Sequence, residues 1–559
     1  MVSHVRRPFG PVEGLHGTKE GLEVGSTDGR WLLGVAVGGS AMAFLDGTVV
    51  NVALPDIGRD LGAGMSELQW VLNTYLLALA SLILLGGSFG DRFGRVRIFL
   101  VGIVLFSLAS GLCAAAPDVE LLVGARVLQG VGAALLTPGS LALIETCMRP
   151  SERARAIGLW SGLSGVASAL GPLAGGYLVG ALSWRAVFLV NLPVGLVVAC
   201  AAIRHIPETR DDTARGQLDY LGAGLLALGL AGVTFALIEA PGDGAAVGAA
   251  PVAALGLIAL VAFAWQERRE PDPLVPFEIF RSRQFSAANA VTFVVYAGLG
   301  GFFFLFVSFL QVSLGYSPVE AGAASLPVTA VMLMFSAWSG GLTERLGARL
   351  PLALGSVIIG AALLAMTTMS PGDDYLTGVL PPVLLFGVGL TLVVAPGTAV
   401  ALGSADASRA GIASGINNAV ARVAGLLAVA GLPVLVGITG DRFYQPARMM
   451  SGFHVAMTVC AGLAAAGGVL AWFTITGPLS TSPRTMEREL PPGERFGCAI
   501  GEPNVCSGPV GPSEPGADGP DRPWLAAGRP PESVRRQRGP GVGETIGPAA
   551  RKAPCHPPR

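Results

Sequence analysis

The amino-acid sequence predicts an all-α polytopic membrane protein: two six-helix bundles with two extra central helices, fourteen transmembrane helices in all. Three observations predict it. Hydrophobic residues make up 52% of the 559 residues and charged residues only 13%, and the mean hydropathy is +0.60. The apolar residues fall in blocks of about 18–28, and a helix crosses the hydrocarbon core with about 20. Arginines collect in alternate loops between the blocks, which is how a polytopic chain sets its orientation.

In order, the blocks lie near 31–55, 68–88, 97–116, 120–146, 155–181, 185–203, 219–240, 249–266, 287–312, 320–341, 350–368, 377–400, 411–438 and 451–474. With the N-terminus inside, the inside loops carry sixteen arginines, from Arg92, Arg95 and Arg97 through to Arg345, Arg349 and Arg409. The outside loops carry four, Arg59, Arg185, Arg442 and Arg448. Both termini are therefore expected in the cytoplasm. The first block is too long for a signal-peptide core.

The segment after the second block reads GSFGDRFGR (87–95), and the segment after the tenth reads GGLTERLGAR (340–349). Gly87, Asp91, Arg92 and Gly94 align with Gly340, Glu344, Arg345 and Gly347. This internal repeat divides the chain into a cytoplasmic segment 1–30, a bundle 31–203, a linker with two extra helices 204–286, a second bundle 287–474 and a tail 475–559. The tail is rich in Pro, Gly and Arg without apolar periodicity, and is expected to be disordered.

Several residues stand out against this apolar background. Asp46 lies near the middle of the first block, where a carboxylate must be neutralised, paired or hydrated. It is the candidate site for a proton or cation. Arg126 lies inside the fourth block with Gln129 three residues on, nearly on one helix face. A guanidinium stays charged at any working pH, so it can pair a carboxylate and release it when that carboxylate takes a proton. The loop of Gly87, Asp91, Arg92, Gly94, Arg95 and Arg97 combines tight-turning glycines with an acid among arginines. Charge-assisted bonds there can lock one conformation and release in another. Glu145, at the inner end of the fourth block, is placed to pair with Arg92 or Arg95. Gly171, Pro172, Gly175 and Gly176 give the fifth block a small-residue face with a kink. Asn417, Asn418 and Arg422 make a polar patch at bilayer depth, a candidate cavity lining or interhelical latch.

No Walker sequence supplies ATP chemistry, and no HExxH, paired CxxC or GxSxG supports an enzyme. The seven cysteines show no metal-ligand spacing. Neither metal nor cofactor is expected.

These residues resemble the major facilitator superfamily, in particular its 14-spanner drug:proton antiporter branch, over roughly 31–474. LDGTVVNVALPDI (45–57) resembles that branch's first-helix motif, through Asp46, Thr48, Asn51 and Pro55. GSFGDRFGRVR resembles the superfamily's loop motif. Arg126, Gln129 and Gly130 resemble its fourth-helix motif, and Gly171, Pro172, Gly175 and Gly176 its antiporter motif, with Ala167 where glycine is common. WRAVFLVNLPVG (184–195) also resembles this branch. The resemblance implies alternating-access export of a small lipophilic substrate against protons across the cell membrane, by a monomer without nucleic-acid partners. It implies Asp46 as proton carrier with Arg126 as charge partner, and Asn51 and Gln129 beside Asn417, Asn418 and Arg422 as possible cavity lining. Export of one secondary metabolite, siderophore or amphiphile is the alternative. An uptake symporter and a non-transporting membrane sensor fit the motifs less well.

Overall fold

A computed structural model of the chain describes residues 21–210, 218–239, 246–404 and 410–476. Residues 1–20 and 477–559, which hold most of the expected N-terminal segment and tail, lie outside the described residues. Among the described residues, fourteen helices are long and apolar enough to cross a membrane, as the sequence predicts. The only strand-like pairing among them is an isolated bridge between Leu22 and Met148.

The first half comprises α1 (Thr27–Leu61), α2 (Met65–Phe93), α3 (Arg95–Ala115), α4 (Val119–Cys147), α5 (Arg153–Ala181), α6 (Ala186–Leu189) and α7 (Asn191–His205). An inserted hairpin follows, α8 (Tyr220–Glu239) and α9 (Ala246–Glu267). The second half comprises α10 (Arg283–Val312), α11 (Pro318–Ala324), α12 (Leu326–Leu346), α13 (Arg349–Met366), α14 (Leu380–Gly403), α15 (Ala410–Leu435) and α16 (Pro446–Thr474).

Local chemistry explains where these helices depart from the apolar blocks. α1 begins before its block because Ser26 caps it, its Oγ accepting from the Gly29 N–H at 3.0 Å. It ends at Gly62, whose φ of 65° suits a residue without Cβ. The sixth span is two helices, α6 and α7, rather than one. Pro193 has no N–H for the Leu189 carbonyl, and the chain restarts at Asn191. The tenth span divides likewise at Ser325, because Pro327 cannot donate to Ala323.

Within each half the helices pack through small residues that let backbones approach. A Cβ on Gly132 of α4 would sit 2.6 Å from the Phe106 backbone nitrogen of α3. A Cβ on Gly389 of α14 would lie 2.8 Å from the Gly355 carbonyl of α13. The inserted hairpin packs through α8 on both α2 and α15, one helix from each half. Trp70 of α2 donates its indole N–H to Glu239 of α8 at 2.9 Å, and the Trp70 ring lies against Phe235.

The apolar core reveals how the halves meet. One cluster runs from Val49–Ile57 and Leu68 of the first half into Phe302–Leu310 and Phe453 of the second. These are the C-terminal ends of α1 and α10 and the N-terminal end of α2, the ends expected to face outside. The inner ends of α1, α3 and α4 belong instead to a separate cluster built almost wholly from the first half. The halves therefore share a core at those ends, while at the opposite ends α1, α3 and α4 pack mostly within the first half.

Replacing Gly132 by Val should force α3 and α4 apart at a backbone contact that no rotamer change relieves. Overpacking of this kind costs about 1–3 kcal/mol. A thermal-unfolding series on purified protein should show a lowered Tm for Gly132→Val, whereas Val at Gly124, which has open space around it, should leave the Tm nearly unchanged.

Candidate functional site: a caged carboxylate beneath a neutral outer gate

Asp46 is fully buried, and so is Arg126. An arginine Nη1 donor pairs with Asp46 Oδ2 and also donates to Gln129 Oε1 at 2.8 Å. Arg126 Nε donates to the Val71 carbonyl of α2 at 2.9 Å, and the guanidinium lies 4.3 Å from the centre of the Tyr75 ring. Tyr75 in turn donates to the Ala43 carbonyl at 2.9 Å, which holds the ring over the arginine. The other carboxylate oxygen, Oδ1, accepts from Gln129 Nε2 at 2.7 Å and from Asn191 Nδ2 at 3.3 Å. Both amides also donate to Ser110 Oγ, at 2.8 and 3.3 Å. Five helices thus meet on one acid: α1 carries it, α2 fixes the arginine, and α3, α4 and α7 supply the rest.

Every neighbour that touches this carboxylate donates to it. Such a cage fits the ionised form, because an ionised carboxyl only accepts while a protonated one must also donate. Gln129 Oε1, an acceptor in the same cage, already receives Arg126 and the Cys113 thiol, the latter at 3.6 Å. A proton arriving on Asp46 would have to displace one of these partners.

Sequence reasoning pointed to Asp46, Arg126 and Gln129, and the structure brings them together. Gln129 belongs to the cage rather than to an open cavity, since its side chain is fully buried. Asn191 and Ser110 were missed. Asn191 lies in the WRAVFLVNLPVG segment, where an amide in an apolar run was the available signal. Ser110 offered none, a small residue on a helix being ordinary.

The loop motif forms the junction of α2 and α3. Arg95 donates to Asp91 Oδ1 through Nε at 2.8 Å and approaches it through Nη2 at 2.6 Å. Gly94 has a φ of 109°, and a Cβ there would lie 2.8 Å from the Glu208 carboxylate. Glu208, just beyond α7, accepts from the Val96 and Arg97 N–H groups at 3.0 and 3.1 Å, capping α3 with an acid that sequence reasoning did not select. Glu145 stands close enough to Arg95 to feel its charge, yet Arg95 spends its hydrogen bonds on Asp91. Gly87 lies against Pro138 of α4, with room for a Cβ at 3.7 Å.

The small-residue motif of α5 divides its work between two partners. Gly171 and Gly175 face α1, where a Cβ would overlap Thr48 Oγ1 and sit 3.0 Å from the Val49 carbonyl. Gly176 faces the Pro318 backbone of α11, and the Pro172 backbone meets Gly322 of α11 in return. The motif therefore makes the outer seam between the halves as well as the α1–α5 contact. On the inner half of α5, by contrast, Gly158, Gly162 and Gly165 have nothing within 4 Å of a built Cβ, and neither have Gly340 and Gly341 of α12.

The hydrogen bonds that cross the rest of the outer seam are neutral, although Arg59, Glu67 and Asp441 lie close to one of them, at Tyr444. Gln69 Nε2 donates to the Val429 and Ala430 carbonyls at 2.6 and 2.8 Å. Pro433 has no N–H for the Val429 carbonyl, so Gln69 supplies the donor α15 lacks. Gln311 donates to the Val52 carbonyl at 2.9 Å, and the Tyr444 hydroxyl to the Ala63 carbonyl at 2.6 Å. Burial pushes the Tyr444 phenol up to about 12, so it remains a donor across the working range.

The polar patch of α15 is split. Asn417 Nδ2 donates to Asn289 Oδ1 at 3.2 Å and Thr292 Oγ1 at 3.0 Å, latching α15 to α10 beside a small cavity. Asn418 and Arg422 stay half-buried, and the Arg422 guanidinium lies 5.5 Å from the Phe44 ring of α1. Asn51, also half-buried, holds its amide oxygen without a partner.

A family model described as the Major Facilitator Superfamily matches residues 36–429. The chain is 37% identical to a puromycin resistance protein of Streptomyces alboniger over 83% of this chain and 94% of that protein. It is 37% identical to a tetracenomycin C resistance and export protein of Streptomyces glaucescens, over 74% and 77%. It is 34% identical to a methylenomycin A resistance protein of Streptomyces coelicolor, over 79% and 91%. Among solved structures, the POT family transporter PepTSo superposes with a TM-score of 0.59 at 14% identity, over 79% of this chain and 97% of that one. That likeness is one of fold.

Gln69→Leu should loosen the outer seam without disturbing the cage. A cysteine placed at Gly64, beside Gly440 at the outer surface, should then react several-fold faster with a membrane-impermeant maleimide on intact cells. Equal rates with and without Gln69→Leu would count against this hydrogen bond as a gate.

Proposed function

The chain belongs to the major facilitator superfamily, and from that premise we propose that it is a proton-coupled exporter of lipophilic small molecules, of the drug or antibiotic class. The observation that carries the coupling is the Asp46 carboxylate, enclosed by Arg126, Gln129 and Asn191 while the outer seam is closed. The exporter is a monomer of the bacterial inner membrane, with both termini in the cytoplasm.

The conformation described here, closed outside and parting inside, is the deprotonated form ready to take substrate from the cytoplasmic side. Half-buried Phe44, Asn51, Asn418 and Arg422 then line the opening between the halves. When the outer seam opens, a proton from outside reaches Asp46. The neutral acid no longer satisfies three donors, so Arg126 is released and the helices around it shift. The seam recloses with the proton aboard, and the proton leaves to the cytoplasm once the inward-facing form is reached, because only the carboxylate fits the cage. Substrate moves outward in one phase of the cycle and the proton inward in the other.

The names of several relatives favour a second reading on breadth. They refer to single antibiotics, puromycin, tetracenomycin C and methylenomycin A, so a dedicated exporter of one such metabolite fits beside a multidrug one.

Asp46→Asn keeps the shape and offers the arginine a neutral acceptor, but cannot titrate. In reconstituted vesicles with an imposed pH gradient, uphill substrate accumulation should vanish, while substrate binding survives. Asp46→Glu should keep part of the activity. Undiminished gradient-driven accumulation by Asp46→Asn would place the proton elsewhere. Topology is tested separately: reporter fusions after residues 270 and 480 should both report the cytoplasm, and an outside signal from either would overturn the assignment.

A further inference from the structure

A second pair of buried carboxyls lies far from Asp46, at the base of the inserted hairpin. Asp219 immediately precedes α8, and Glu267 is the last residue of α9. Their exposures are 5% and 2%. Each spends one oxygen on backbone. Asp219 Oδ1 caps α8 by accepting from the Gly222 N–H at 2.6 Å. Glu267 Oε2 accepts from the Val275 N–H at 2.9 Å, in the connector that leads to α10. The remaining oxygens, Asp219 Oδ2 and Glu267 Oε1, are buried and receive no donor. A Cβ built on Gly222 would collide with both, so the two oxygens face one another across that glycine, within hydrogen-bonding reach.

We propose that Asp219 and Glu267 form a single-proton site, a carboxyl–carboxylate clasp that fastens the two ends of the α8–α9 hairpin to each other and to the connector into the second half. Two carboxylates at such a distance cannot both stay ionised out of water, and one shared proton turns repulsion into a hydrogen bond. The same proton satisfies both orphaned oxygens at once. Among the described residues, the charged groups that act on Glu267 are acids, Asp219 and Glu270. Arg268 lies over the Phe277 ring at 5.4 Å and Arg269 over the Trp265 ring at 3.7 Å. Glu270, on the connector, is the other charged group facing Glu267, and it is acidic. From α2, the residue against the base of α8 is Phe89, in contact with the Tyr220 ring.

The clasp has a mechanical consequence. Val275, held by Glu267, packs with Ile279, Phe285, Ala413 and Ile416, in the inner core of the second half. α8 meanwhile rests on α2 and α15. Losing the proton would put two buried negative charges at the point where hairpin, connector and second half are tied together. Stability from a shared proton is present at low pH and lost as pH rises past the clasp's release point.

The test uses the full-length protein in lipid nanodiscs and needs no transport, so it stands or falls independently of the exporter reading. The wild-type Tm should fall by several degrees as pH rises from about 6 to about 9. Glu267→Gln, whose amide donates to Asp219 without a titrating proton, should flatten that fall and match or exceed the wild-type Tm at the alkaline end. The infrared carbonyl band of a protonated carboxyl should be present in wild type at neutral pH, absent in Glu267→Gln and in Asp219→Asn, and retained in Asp46→Asn. Parallel pH curves for wild type and Glu267→Gln, or no such band in wild type, would overturn the proposal. So would a Tm raised by added sodium or calcium ions in wild type and not in Glu267→Gln, since a metal cation would then occupy the gap.

Discussion

The pairing of Asp46 with Arg126 is the constraint from which the first half takes its form. Two opposite charges removed from water repay their desolvation only if the geometry is good and the leftover donors and acceptors are matched. The chain meets that condition by bringing five helices to one point. Val71 gives a carbonyl, Ser110 a hydroxyl, and Gln129 and Asn191 their amides, while the Tyr75 ring covers the guanidinium. The small residues that let α3 approach α4, and α1 approach α5, are needed for the same reason. Helices held farther apart could not close a hydrogen-bonded shell of this size. Only Arg126 Nη2 remains buried without an acceptor, a spare donor within the shell.

The seam between the halves follows the opposite chemistry. It must open in every cycle, and it is made of amide and phenol donors on backbone carbonyls, with glycine-to-backbone contacts on α5 and α11. A neutral hydrogen bond of this kind contributes about 0.5–1.5 kcal/mol net. A handful therefore adds up to a few kcal/mol, the scale on which a ligand or a proton biases a two-state equilibrium. Buried ion pairs at the same seam would have to be desolvated and resolvated on each turnover. Proline has a direct part here: by leaving the Val429 carbonyl without its helical donor, Pro433 creates the acceptor that Gln69 uses.

The span pattern, the repeat and the members of the charge pair were legible in the sequence because each leaves a mark against an apolar background. A carboxylate at position 46 and a guanidinium at 126 are conspicuous for that reason alone. Their contact was not legible from spacing, since residues 80 apart are joined by packing rather than by helical period. Asn191 and Ser110 were hidden because amides and hydroxyls are common in membrane helices and carry no periodic signal. The splitting of the sixth and tenth spans was readable in principle from Pro193 and Pro327, although hydropathy averages across such breaks. Gln129 shows the reverse case. Its residue type was noticed, but whether it faced a cavity or a charge depended on the packing of α1 and α3 around it.

The two halves share a sequence repeat, yet the polar groups they bury differ in kind. One polar cluster of the second half is Asn417 with Asn289 and Thr292, joined across α10 and α15. Amides and hydroxyls do not titrate in the working range, so these bonds do not depend on pH. The first half, in contrast, holds a group whose partners suit only one of its two protonation states. On the proposed coupling, an α10–α15 latch that does not titrate, packed against a half with a titratable centre, gives the proton something to push against. If both halves carried such centres, each could relax separately and the outer seam would feel less of the change. Under the proposed proton coupling, this asymmetry lets one protonation event on α1 be expressed as motion at the interface with α10, α11 and α15.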